Sequence, residues 1–153
     1  MPDIYRVVTN YQKPFHTINT VGEQALRCKK IDLYRSIITV GNPSFMSLQA
    51  IKSYGFTRVL YESIIKKVAV VASNIQSDLK GIRRHPVFDS LVSDEKRIIS
   101  YNLGMAFAKL YSEKLLNIPN LHHVESLKKQ DAITFAPQVS RARSKEPDLV
   151  GQT

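Results

Sequence analysis

Residues 57–80 read TRVLYESIIKKVAVVASNIQSDLK, and the spacing within this stretch decides the fold class. Leu60, Ile64, Val68, Val71, Ile75 and Leu79 recur at steps of three and four, the interval that stacks side chains along one side of a helix. Lys66, Lys67, Gln76 and Lys80 are left for water. The pattern predicts one long amphipathic helix over 57–80.

Working outward, Gly41-Asn42-Pro43-Ser44 reads as a helix start: Asn42 can accept from free backbone N–H groups, and proline at the first helical position loses nothing by lacking one. A short helix over 43–53 follows, ended near Gly55. Downstream, Gly81 and Pro86 break the pattern in GIRRHPVFDSLV, 81–92, which forms a connection. Ser93 then caps a second long helix, with Asp94 and Glu95 opposing the positive end of its dipole. Ile99, Leu103, Ala106 and Leu110, with Phe107 alongside, make its buried stripe, and Asn117 with Pro119 closes it. Gly104 inside this helix costs about 1 kcal/mol relative to alanine, so a second backbone is expected to pack close there. The two long helices are expected to pack on each other.

The ends are less regular. IYRVV at 4–8 and LYRSIITV at 33–40 are rich in branched and aromatic residues and read as strands, although apolar runs this short also suit buried helix. Residues 121–130 read as a short amphipathic helix, and AITFAP at 132–137 as a strand stopped by Pro137. The expected fold is mainly α, with two long packed helices, shorter ones, and short β-strands near the N- and C-terminal ends; α+β is the alternative. No repeat, low-complexity tract or long linker appears, so residues 1–153 are taken as one domain, with 139–153 as the start of an incomplete β element.

Composition narrows the function classes. Cys28 is the only cysteine, which excludes an intrachain disulfide and any multi-cysteine zinc framework. The start, MPDIYRVVTN, lacks the basic and apolar regions of a signal peptide, and no apolar run approaches the ~20 residues of a membrane span. A cytoplasmic protein with no membrane partner is expected. Twenty-two Lys and Arg against thirteen Asp and Glu give a formal charge of +9. Such a surplus favours polyanionic partners, nucleic acid foremost, unless it serves only solubility.

Several motifs carry no chemistry. Ser63/Lys66, Ser77/Lys80, Ser93/Lys96 and Ser126/Lys129 all have the S-x-x-K spacing of a serine acyl-enzyme, but repeated matches in a lysine-rich chain without a K-T-G partner reflect composition. His122 and His123 are adjacent, so their side chains diverge and cannot form the i,i+4 pair a metal needs; one solvated and one packed histidine is expected. His85 and His16 have no Ser, Cys or carboxylate partner that the sequence can supply. The six glycines form no phosphate-binding loop. Two basic groups remain. Lys80, Arg83 and Arg84, with His85, crowd the connection between the long helices, where they could reach phosphates or simply suit a helix C-terminus. In VSRARSK, 139–145, an extended backbone puts Arg141, Arg143 and Lys145 on one face. That row could follow a nucleic-acid backbone or form a charged, aggregation-resistant sheet edge.

After that row comes Pro147-Asp148-Leu149-Val150-Gly151. Phosphodiester hydrolysis uses a divalent cation held by carboxylate oxygens, and a carboxylate heading a strand is rigidly held. The stretch resembles the first half of the PD-(D/E)XK motif of the restriction-endonuclease-like nucleases. The resemblance implies that Asp148 is a catalytic residue and magnesium ligand, that an acidic residue and a lysine follow on the next strand, and that Arg141, Arg143 and Lys145 contact phosphate. Only five residues follow Asp148, so the acid-x-lysine half is expected beyond Thr153, and Gly151-Gln152-Thr153 reads as a hairpin turn cut before its return strand. The expectation is therefore a nucleic-acid-directed helical domain of a metal-dependent nuclease, inactive as it stands. The alternatives are a non-enzymatic basic DNA- or RNA-binding module, and a helical interaction protein or homo-oligomer using the face around Gly104 and Tyr101.

Overall fold

The computed structural model describes residues 3–9, 22–41, 47–78, 81–129, 132 and 148–152. The protein is mainly helical with short antiparallel strands, as expected. Its central element is α5, Ser93–Leu115, 23 residues long. The N–H of Val92 donates to Glu95 Oε2 at 3.4 Å, so the cap lies one residue before Ser93. Leu103, Ala106 and Leu110 are buried, with Ile99 and Phe107 packed against the same cluster, the stripe that the sequence predicts. The helix stops where Asn117 takes φ +55°, a conformation asparagine tolerates better than most residues. There the N–H groups of Leu116 and Ile118 both donate to the Ser112 carbonyl, at 3.1 and 2.9 Å.

The stretch 57–80 is helical but neither uninterrupted nor of the predicted length. Before it, α2 (Leu48–Tyr54) starts behind Ser47, whose Oγ accepts from the Ala50 N–H at 3.2 Å, and ends at Gly55 with φ +81°. Asn42 and Pro43 lie outside the described residues. Then α3 (Phe56–Leu60) runs into a π-helical turn, Tyr61–Ile65, and on into α4 (Lys66–Asn74). The wide turn adds a residue and rotates the buried face. Val59, Ser63, Val71 and Asn74 are buried, whereas Leu60, Ile64 and Val68 are half-buried. Arg58 and Lys66 bracket this turn through Glu62, at 3.2 and 3.0 Å, and the hydrogen bond from Lys66 holds the Glu62 carboxyl below its usual range.

The helix ends at Asn74. There Ser73 Oγ donates to the Ala69 carbonyl at 2.7 Å and Asn74 Nδ2 to that of Val70 at 3.0 Å, side-chain bonds that compete with helix continuation. Ile75–Asp78 forms β3, paired antiparallel with β4, Gly81–Arg84. The predicted helix therefore overshoots into a hairpin, and Leu79 and Lys80 lie outside the described residues.

Two further readings are corrected. Residues 33–39 are not a strand but most of α1, Lys30–Thr39, with Leu33, Ser36 and Ile37 buried, and Val40 is the extended residue that follows it; burial at helical spacing overrides the strand preference of Ile37 and Ile38. Residues 121–130 divide into β5, Asn120–His123, and α6, Val124–Lys129. The expected packing of the two long helices is also modified: α1 makes the most extensive helix contact with α5, and α4 packs on both. Leu33 and Ile37 of α1, Val71 of α4, and Leu103, Ala106 and Leu110 of α5 share one core with Cys28, Ile75 and Ile82. Lys67 of α4 reaches the Ile38 carbonyl at 3.3 Å.

Among the described residues each sheet has two antiparallel strands. β1 (Asp3–Thr9) pairs with β2 (Gly22–Cys28), which agrees with the strand read at 4–8. β6 (Leu149–Gln152) pairs with β5, so that Leu149 faces His123 and Gln152 faces Asn120. Gly151 and Gln152 thus belong to a partnered strand and not to a cut turn; the partner lies upstream in sequence. Ile118 sits over the Gly151 α-carbon, 2.6 Å from where a Cβ would stand. Gly41 joins β5 as a parallel bridge. Ala132 is outside any strand, and the rest of the strand read at 132–137 lies outside the described residues.

Candidate nucleic-acid interface

The β3–β4 hairpin turns two arginines outward. Ile75 and Ile82 point into the core while Arg83 and Arg84 are exposed. Next comes a 3₁₀ turn, Pro86–Ser90, entered with His85 Nδ1 accepting from the Val87 N–H at 3.1 Å. The His85 N–H donates to the Asn74 carbonyl at 2.7 Å, which fastens this turn to the end of α4. Its one buried side chain is Phe88. The Arg84 guanidinium lies 4.7 Å from the centre of the Phe88 ring and donates to Asp89 at 2.8 Å. Arg83 pairs with Asp78.

Across from the hairpin, Ser100, Leu103, Gly104 and Phe107 form one side of α5. Among the described residues Gly104 has no neighbour within 4 Å of where a Cβ would stand. The expectation of a close backbone at Gly104 is therefore corrected: its missing side chain leaves space. That space is a groove of about 510 Å³ lined by Arg83, Arg84, Phe88, Leu103, Gly104 and Phe107, among others. Phe107 also packs against Tyr111, ring centres 5.9 Å apart. An apolar, aromatic floor with guanidinium groups at the rim suits a planar ring attached to an anion. Because each arginine already holds an aspartate, a phosphate must share or replace that partner.

Of the residues singled out in the sequence, Arg83 and Arg84 come together at this groove. Lys80, Arg141, Arg143 and Lys145 lie outside the described residues. Asp148 stands on a different sheet: it heads β6, exposed, with its carbonyl accepting from the Val124 N–H at 3.2 Å. Opposite it, β5 carries Leu121, His122 and His123, and Glu125 is held by Lys129 at 2.8 Å. Among the described residues no group of three or more His, Cys, Asp and Glu could hold a metal ion. His122 and His123 are both half-buried, not one solvated and one packed, because β5 lies between Gly41 and β6. Sequence reasoning missed Phe88, although an aromatic four residues after a pair of arginines was a usable signal. It also missed Arg35, Lys109 and Glu113, which meet only in three dimensions.

Among the described residues no helix is long and apolar enough to cross a membrane. Compared with known proteins, the chain matches no family model, no curated protein and no solved structure.

Proposed function

We propose that this chain is a nucleic-acid-directed helical domain without chemistry of its own, which holds single-stranded DNA or RNA in the groove between the β3–β4 hairpin and α5. The observation that carries this reading is the Arg83–Arg84 rim beside the half-buried Phe107 ring and the open Gly104, with Phe88 buried beneath Arg84. Base stacking on aromatic rings and charge on the backbone are the two elements of sequence-tolerant single-strand binding. The formal charge of +9 supplies long-range attraction. Arg141, Arg143 and Lys145 would supply further phosphate contacts, and a cytoplasmic location suits such a partner. Fluorescence anisotropy with short labelled DNA and RNA strands tests the proposal. Affinity should fall steeply with salt, and Arg83→Gln with Arg84→Gln should weaken it about ten-fold. A flat salt response, or undiminished binding by the double variant, overturns it.

A second reading keeps Asp148 as a magnesium ligand of a restriction-endonuclease-like nuclease, completed by residues outside those described. It is favoured by the anchoring of the Asp148 backbone to Val124, which fixes where the carboxylate starts. With magnesium or manganese present, turnover of DNA or RNA that Asp148→Ala abolishes would establish a metal-dependent role for Asp148 and overturn the expectation that the chain is inactive as it stands.

A further inference from the structure

Further along α5, a second cavity of about 240 Å³ opens between α1, α5 and β5. Its charged lining is Arg35 from α1 and Lys109 and Glu113 from α5, with His122 of β5 beside them. Lys109 is only 4% exposed. Its ammonium donates to Glu113 Oε2 at 3.1 Å and to the Pro119 carbonyl, and Arg35 Nη2 donates to Glu113 Oε1 at 2.5 Å. One carboxylate therefore serves two cations, and the cavity keeps surplus positive charge even with His122 neutral. A charge this deep is costly unless compensated. Among the described residues the ammonium uses two of its three N–H groups and the guanidinium one of its five. The rest are available to the space between them, which exceeds what a water molecule needs.

We infer that this cavity binds a small tetrahedral oxyanion of the phosphate type, either free phosphate or the phosphomonoester end of a small molecule. Arg35 and Lys109 are the donors, and Glu113 holds both in place. A guanidinium fork beside an ammonium is the pairing that recognises phosphate oxygens, and one negative charge on the bound oxyanion offsets the single positive charge that Glu113 leaves over. The inference is independent of the nucleic-acid groove.

Calorimetric titration of the full chain with inorganic phosphate, and separately with glycerol 3-phosphate, against chloride at matched ionic strength, tests it. Saturable one-to-one binding is expected, weakened about ten-fold by Arg35→Gln through loss of a charge-assisted contact. Arg35→Lys, which keeps the charge and loses the fork, should fall between. Arg83→Gln with Arg84→Gln should leave this binding unchanged, which separates it from any phosphate held in the groove. Tighter binding of glycerol 3-phosphate identifies the organic ester as the occupant, and equal or weaker binding identifies the free ion. Absence of saturable binding by both probes, or binding untouched by Arg35→Gln, overturns the inference.

Discussion

The ring of His123 covers the α-carbon of Gly41: a methyl group there would fall 2.6 Å from His123 Nε2 and closer still to Cδ2. Gly41 also has φ +92°, donates to the Leu121 carbonyl at 3.0 Å, and accepts from the His123 N–H at 3.2 Å. Gly41→Ala meets both steric objections at once and should destabilise the protein by about 2–3 kcal/mol. Urea denaturation would show this as a lowered midpoint with an unchanged slope.

Gly104 is the opposite case. It is helical, exposed and, among the described residues, without a neighbour near its absent side chain, so Gly104→Ala should stabilise by about 0.5–1 kcal/mol. Gly104→Trp should fold equally well but fill the groove and abolish single-strand binding. Thermal melts and anisotropy on the same preparations separate the two effects.

Lys109 and Arg35 share Glu113, yet differ in burial. Lys109→Met leaves the Pro119 carbonyl without its donor and removes a buried charge partner, with an expected cost of about 3 kcal/mol. Arg35 is half exposed, and Arg35→Gln should cost less than about 1 kcal/mol. Equal losses in denaturant midpoint would contradict this ranking.

Burial lowers the pKa of Lys67 from its ordinary 10.5. The unfolded chain then binds the proton more readily, so the penalty is full below the lowered folded value and disappears as pH rises past 10.5. Stability should climb with alkaline pH across that window, by more in the wild type than in Lys67→Met. Parallel urea midpoints for the two proteins across the same pH series would refute the assignment.

The sequence made α5 legible because its determinants are local: acids in the first turn, a stripe at helical spacing, and Asn117 at the stop. α1 was less so, since Ile37 and Ile38 suit a strand and only burial against α5 decides otherwise. The spacing within α4 runs in phase from Val71 into Ile75, which hides the change to a strand, and the adjacent Ser73 and Asn74, whose side chains bond back to Ala69 and Val70, were the local sign of the stop. The β5–β6 pair was invisible because its register depends on segments far apart along the chain. Arg83 and Arg84 were recognisable as a basic pair, but the groove beneath them required knowing that α5 passes opposite with Gly104 facing it.

The Gly41–β5–β6 junction bears on how the protein opens. It ties a residue from the first third of the chain to the last described strand through short backbone ladders, with Leu121 and Leu149 linking it to the smaller core formed with Val40 and Met105. Contacts so distant in sequence bear a loop-closure cost before they return any energy. The junction should therefore form after α1 and α5 have docked and release before they part. In native-state hydrogen exchange, the amides of Gly41, His123 and Val124 would then become labelled through a sub-global fluctuation, while those at the centre of α5 wait for complete unfolding.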